Sequence, residues 1–411
     1  MPRINFKKLL IIAGFVIVVI LLGYLIYKMF FASTKTEEPI STETTTITEP
    51  AGQLPEAQEN TGVIVDDFAQ QGTLDVGSEI IAQTDTSVQQ ADRLGLSKTA
   101  NSINPTISDD GSGVQFYNKR DSKFYRLDES GEVTELTEKK FYNVSEVTWS
   151  PDKDKAIMEY PDKNKIIYNF TTQEQINLPS HWEDFDFSPD GEQIVFKSMG
   201  LDTDNRWLAV MNSDGTRAQQ VESIGINAEK VIPSWSPNNQ IIAMMSEGAS
   251  LDTKNIYFIG LNGENFRMTT TAGRGFEPLW SPQGDKLLYS VYSSTNDYKP
   301  QLWTVDAQGD NIGANRLPID LETWANKCTF VSNDQLYCAV PKELEEGAGM
   351  FPFLAAETSD DLYKIDIKYG TKTLVSNKID FPMNNLLVTK DENQIFFTDN
   401  YGQLHKITLT K

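Results

Sequence analysis

The chain has 411 residues, 39% of them hydrophobic, and carries 58 acidic against 36 basic side chains for a formal charge of -22. That balance argues against nucleic acid or an anionic lipid surface as the main partner, since both demand clustered Lys and Arg. Two histidines and two cysteines, scattered along the chain, do not supply the grouped ligands of a zinc centre.

Residues 1–8 hold Arg3, Lys7 and Lys8, and an uncharged run follows from Leu9 to Tyr27 and on past Lys28 to Phe31. Such a length suffices to cross a hydrocarbon core as a helix. A cleaved signal peptide has a shorter apolar core, and ASTKTEE after Phe31 lacks an A-x-A site. Residues 9–31 are therefore expected to be a retained single-pass anchor, with 1–8 cytoplasmic and everything after it outside. Residues 32–62 are rich in Thr, Glu and Pro and bury too little apolar surface to offset their conformational entropy, which predicts a disordered linker. Residues 63–90 contain VIVDDF and SEIIAQ, which read either as strands or as segments docked on the main domain.

The main domain is written in repeats. FDFSPDGEQIVF, from Phe185 to Phe196, is an apolar run, a Ser-Pro-Asp-Gly turn and a second apolar run, the signature of a β-hairpin. Strong copies start at Val147, Pro233 and Pro278, and weaker ones at Pro105, Cys328 and Leu386. Two further strand-like runs follow each hairpin, as in RWLAVMNSDG and RAQQVES. Each unit is thus four antiparallel strands, A to D, in ~40–50 residues, the size of one propeller blade. Seven copies predict an all-β, seven-bladed propeller over 91–411, with Trp149, Phe187, Trp235, Trp280 and Phe330 filling the space between blades. The last copy supplies only three strands, so its outer strand is expected from 91–98 (ADRLGLSK), closing the ring.

The W/F-S-P-D-G hairpin resembles the TolB-type (WD-like) β-propeller repeat. Phe185–Gly191 matches best; Trp149–Asp152, Trp235–Pro237 and Trp280–Gly284 match with substitutions at Asp or Gly, and the resemblance covers Pro105 to Lys411. It implies an extracytoplasmic protein-binding module of the cell envelope. Prolyl-oligopeptidase-like enzymes use the same repeats but need a G-x-S-x-G elbow, which is missing here. Neither His181 nor His405 has a plausible nucleophile in an elbow to work with, and the Asp202–Asn205 and Asp306–Asp310 stretches do not continue to the glutamate of a calcium loop.

The B–C and D–A loops are longer than the A–B turns and carry aromatic residues. The expected partner surface comprises Phe351, Phe353, Trp324, Tyr298, Trp182 and Trp207, with 341–359 as the longest insertion. Cys328 and Cys338 flank a turn centred on Asn333, which places them opposite each other on strands A and B and predicts a disulfide. The reading is a membrane-anchored, extracytoplasmic protein-binding or scaffolding propeller, non-enzymatic, with no catalytic residues, metal or cofactor. The alternative is a propeller hydrolase or lyase acting on glycan or peptide from the axial channel, where converging Arg, Glu and Asp side chains would mark it.

Overall fold

The computed structural model describes residues 92–93, 99 and 101–409. The expected anchor (9–31), linker (32–62) and 63–90 segment lie outside them. Among the described residues no helix is long and apolar enough to cross a membrane.

Seven four-stranded antiparallel sheets form the fold. Blade one runs from Ser102–Ile107 to Val133–Glu135, and blade two from Glu146–Trp149 to Gln175–Leu178. Blade three is Trp182–Phe187, Gln193–Met199, Arg206–Asn212 and Gln219–Ser223, and blade four runs from Val231–Pro233 to Thr269–Thr271. Blades five, six and seven begin at Arg274–Trp280, Cys328–Phe330 and Asn384–Val388. Strands A touch at five of the seven blade junctions, from blade six through seven and one to four, so they are the innermost strands and surround the axis. Apolar side chains gather in seven clusters, one at each junction between neighbours. Trp149, Phe187, Trp235, Trp280 and Phe330 all belong to these junctions, as a sheet with two apolar faces requires.

The repeated turn has a local cause. The hydroxyl of Ser108, Ser150, Ser188, Ser236, Ser281 or Thr389 accepts a hydrogen bond from the backbone N–H five residues on, at 2.9–3.1 Å. Each of these hydroxyl residues is buried, so the bond closes the hairpin without leaving a backbone donor unpaired. Blade six has Val331 at this position and uses Ser332 instead.

Strand A is regular in blades two, four and six but bulged in the odd blades. The register slips between Ile103 and Thr106, Glu183 and Asp186, Arg274 and Glu277, and Asn384 and Leu387. Each bulge contains one residue in the left-handed region, Asn104, Asp184, Gly275 or Asn385, residue types that tolerate it. Bulges re-aim side chains, and these four sit on the strands that face the axis.

The ring closes where Asp92–Arg93 pairs antiparallel with Leu404–Thr408, Asp92 opposite Lys406 and Arg93 opposite His405. Gln403 Nε2 also donates to Thr99 Oγ1 at 2.9 Å and Ser102 N–H to Gly402 O at 2.7 Å. The junction between blades seven and one is packed by Phe116, Tyr125 and Phe396 without the closing strand. A chain starting at Ser102 therefore stays folded but exposes a strand edge and melts lower, with a loss of several kcal/mol from roughly the ~5–15 available. Equal melting temperatures for chains starting at 62 and at Ser102 would show the seam to be energetically idle.

Cys328 and Cys338 are register partners joined by a disulfide, with Cα atoms 4.1 Å apart. The bond closes a short loop, so its removal costs about 2 kcal/mol. A Cys328→Ser/Cys338→Ser variant unfolds at modestly lower denaturant, and unreduced native protein shows no free thiol by mass spectrometry.

Candidate functional site

Strand A runs from the side of the D–A and B–C loops, here the front, to the side of the A–B turns, the back. Two cavities open at the front ends of the inner strands. The first, of about 460 Å³, lies between blades two, three and four and is lined by Glu146, Glu159, Asp184, Lys197 and Glu229 beside Thr148, Phe185 and Val231.

Glu159 ends strand B of blade two. It pairs in register with Glu146 on strand A and with Lys165 on strand C, whose Nζ is 3.7 Å away. Burial raises the Glu159 carboxyl, and the neighbouring Glu146 charge adds to it against the pull of Lys165, to about 7. Asp184 is the left-handed residue of the blade-three bulge and forms an ion pair with Lys197 on strand B. Lys197 is buried and also donates to the carbonyls of Ala228 (3.3 Å) and Val231 (3.4 Å), so it is fixed to blade four. On the same bulged strand, Asp186 accepts from Trp235 N–H at 2.7 Å and Phe187 N–H at 2.9 Å. Burial outweighs those two bonds and holds its carboxyl at about 6. The cleft thus offers a carboxyl raised far above its ordinary range, beside carboxylates and one immobilised ammonium. That set can give or take a proton from a bound molecule.

The second cavity, of about 300 Å³, lies across blades five to seven. Glu277 reaches it from the blade-five bulge, Asn384 from the blade-seven bulge and Phe353 from the long insertion.

No protein-family model and no curated protein matches the chain. Many solved propellers share its fold. An oligogalacturonate lyase in complex with manganese aligns with a TM-score of 0.52 at 17% identity, over 80% of this chain and 95% of that one. The oligogalacturonate lyase of Vibrio parahaemolyticus gives 0.49 at 11% identity, over 80% and 95%. Hydrazine synthase of Kuenenia stuttgartiensis gives 0.49 at 12% identity, over 76% and 97%. At such identities the likeness is one of fold. Among the described residues no three His, Cys, Asp or Glu side chains are placed to hold a metal ion.

The expectation of a non-enzymatic chain needs correcting. Oligogalacturonate lyases are enzymes on this fold, and the front cleft between blades two, three and four gathers Glu146, Glu159, Asp184, Glu229 and Lys197. Linear sequence hid that gathering because the residues come from three blades and meet only when the ring forms. One signal was readable: KAIME and QIVFKSM carry an ionisable residue at the front end of an otherwise buried strand.

The expected partner residues divide. Phe351 and Phe353 are exposed on the insertion, their ring centroids 5.9 Å apart. Trp324, placed on the partner surface from sequence, is instead only 6% exposed, packed under the insertion against Leu344, Ala348 and Ala355. Tyr298 is half-buried beneath the Arg274 guanidinium. Trp182 packs on Phe196 (4.2 Å between centroids) in the junction of blades two and three, and Trp207 is half-buried on strand C of blade three. Gly349 is needed for a close approach to blade five. A Cβ there would meet Tyr292 Cβ at 2.5 Å, and the Gly349 N–H donates to Tyr298 O at 2.8 Å. The insertion is pinned to blade five.

Proposed function

We propose that the chain is a propeller hydrolase or lyase acting on a glycan or peptide in the front axial cleft, with Glu159 as the proton-transfer group. The observation that carries this reading is the Glu159 carboxyl, held at about 7 among Glu146, Asp184 and the fixed Lys197. Proton donors tuned to the working pH contribute about 10²–10⁴-fold to bond cleavage. In this reading protonated Glu159 gives its proton to the leaving atom as its bond to carbon breaks, the Glu146 carboxylate takes a proton from the attacking water in a hydrolysis or from the neighbouring carbon in an elimination, and Lys197, anchored by two carbonyls and Asp184, holds the cleft wall in place. The anchor at 9–31 and the linker at 32–62 would present the propeller outside a membrane, where its substrate would be an envelope polymer.

A second reading, docking of a protein partner, is favoured by the exposed apolar tips of Leu201, Ile226 and Leu251 on front loops of blades three and four. The two readings separate on turnover. Full-length protein is incubated with neutral and acidic oligosaccharides and with peptides, and product release is followed by mass spectrometry. Release that falls at least 100-fold in Glu159→Gln supports the proposal. Release that is absent, or unchanged in the variant, removes it.

A further inference from the structure

The second cavity has a chemistry of its own. Phe353 is 72% exposed at its rim, so the face of its ring is open to a ligand in the cavity. Around it stand three amides, Asn326, Asn384 and Asn400. Asn384 Nδ2 donates to Asn400 Oδ1 at 2.9 Å, and Asn400 Nδ2 donates to Ala356 O. That ordering leaves Asn384 Oδ1 and the exposed amide of Asn326 with no protein partner among the described residues. An amide offers one acceptor oxygen and two donor protons, which matches a pair of neighbouring hydroxyls that each give and receive.

The cavity offers an anion nothing to pair with. Lys327 is buried and held by Asp360 at 2.8 Å, so its ammonium is not available to a ligand. Burial raises the Glu277 carboxyl, against the hydrogen bond from Ser290, and that group is an acceptor for hydroxyls. An anionic ligand would therefore find no free cation, and burying a charge without a partner is expensive. A ligand with an apolar C–H face and several hydroxyls fits: the face lies on the negative π-surface of Phe353 and the hydroxyls meet the amides. The volume, about 300 Å³, is at the small end of ligand pockets.

We propose that the cavity between blades five and seven is a binding subsite for a neutral sugar unit, stacked on Phe353 and hydrogen-bonded by Asn326 and Asn384. It opens on the same front face as the Glu159 cleft, an arrangement suited to a linear oligosaccharide. The proposal deepens the enzymatic reading by choosing glycan over peptide, and it rests on that reading only for what happens after binding.

The test is equilibrium binding by titration calorimetry with full-length protein. The probes are cellohexaose and chitohexaose (neutral sugars), hexagalacturonate (charged) and a Gly-Ser octapeptide. At least one neutral hexasaccharide binds, Phe353→Ala weakens it at least tenfold and Asn326→Ala weakens it severalfold. Phe353 and Asn326 are exposed, so both variants fold as the parent does. Failure of both neutral sugars to bind, unchanged affinity in Phe353→Ala, or tighter binding of hexagalacturonate or the peptide overturns the subsite. Binding of a neutral sugar that is never cleaved leaves the subsite standing and removes the enzymatic reading.

Discussion

Replacing Asp360 by Ala destabilises the propeller by about 3–5 kcal/mol, the scale of a buried ion pair broken from one side. Asp360 has no exposed surface. Its carboxylate takes the Lys327 ammonium at 2.8 Å and 3.0 Å and the Met383 N–H at 2.6 Å. It therefore joins three places in the ring: the start of strand A in blade six, strand C of the same blade, and the approach to blade seven. The alanine variant strands a buried ammonium and a backbone donor together, each of which costs free energy on its own. Burial raises the Asp360 carboxyl against the pull of Lys327. Asp360→Asn keeps an acceptor for Met383 and is expected to lose less. Lys327→Met/Asp360→Leu removes both charges and should recover much of the loss, because desolvation then disappears along with the attraction. Chemical denaturation of the three variants orders them Ala, Asn, double. A double variant as unstable as Asp360→Ala would mean that the pair's geometry, not its charge, holds the junction.

The second large effect concerns Glu159. Glu159→Gln lowers turnover in the front cleft by at least 100-fold, and it also changes how stability depends on pH. The folded-state carboxyl sits at about 7 against an ordinary 4.5, so between those values the folded protein holds a proton that the unfolded chain has released. Stability from this group is present below about pH 4.5 and is lost as pH rises to about 7. Gln cannot ionise and lacks that loss. Lys165 keeps two acceptors in the variant, the carbonyls of Ser180 (3.2 Å) and Lys163 (3.4 Å). Thermal melts should therefore agree near pH 5, with the variant melting above the parent at pH 8. A variant that is inactive yet less stable at pH 8 would assign Glu159 to structure. Sites that trade stability for function are recognised by a reverse pattern of this kind.

The blades were legible because their turn chemistry is local. Ser188, Asp190 and Gly191 fix one hairpin within six residues, and the same hydroxyl-to-amide bond recurs in five other blades whose turn sequences differ. The disulfided pair was legible for the same reason, as counting from Asn333 needs no knowledge of the other blades. The odd-blade bulges were not read, although Asn104, Asp184, Gly275 and Asn385 carry the residue types that a left-handed position prefers. Isolated Asn, Asp or Gly in a strand is common enough that only comparison between blades gives it meaning. A loop aromatic such as Trp324 reads as surface until the segment that covers it is known. The long insertion folds back over it, and Phe353 from that insertion occupies the exposed position instead. Both cavities are properties of the assembled ring, since their walls come from residues more than fifty positions apart.

The seam has a mechanical meaning. Asp92 and Arg93 run from back to front, and Leu404–Thr408 beside them runs from front to back. The chain therefore joins and leaves the ring on the back, away from the Glu159 cleft and the Phe353 cavity. A pull on the segment before Asp92 slides the closing strand along its neighbour, loading their hydrogen bonds side by side in shear instead of peeling them singly. Whatever holds the molecule by either end holds it from behind, and the mouth of the cleft stays turned outward under load.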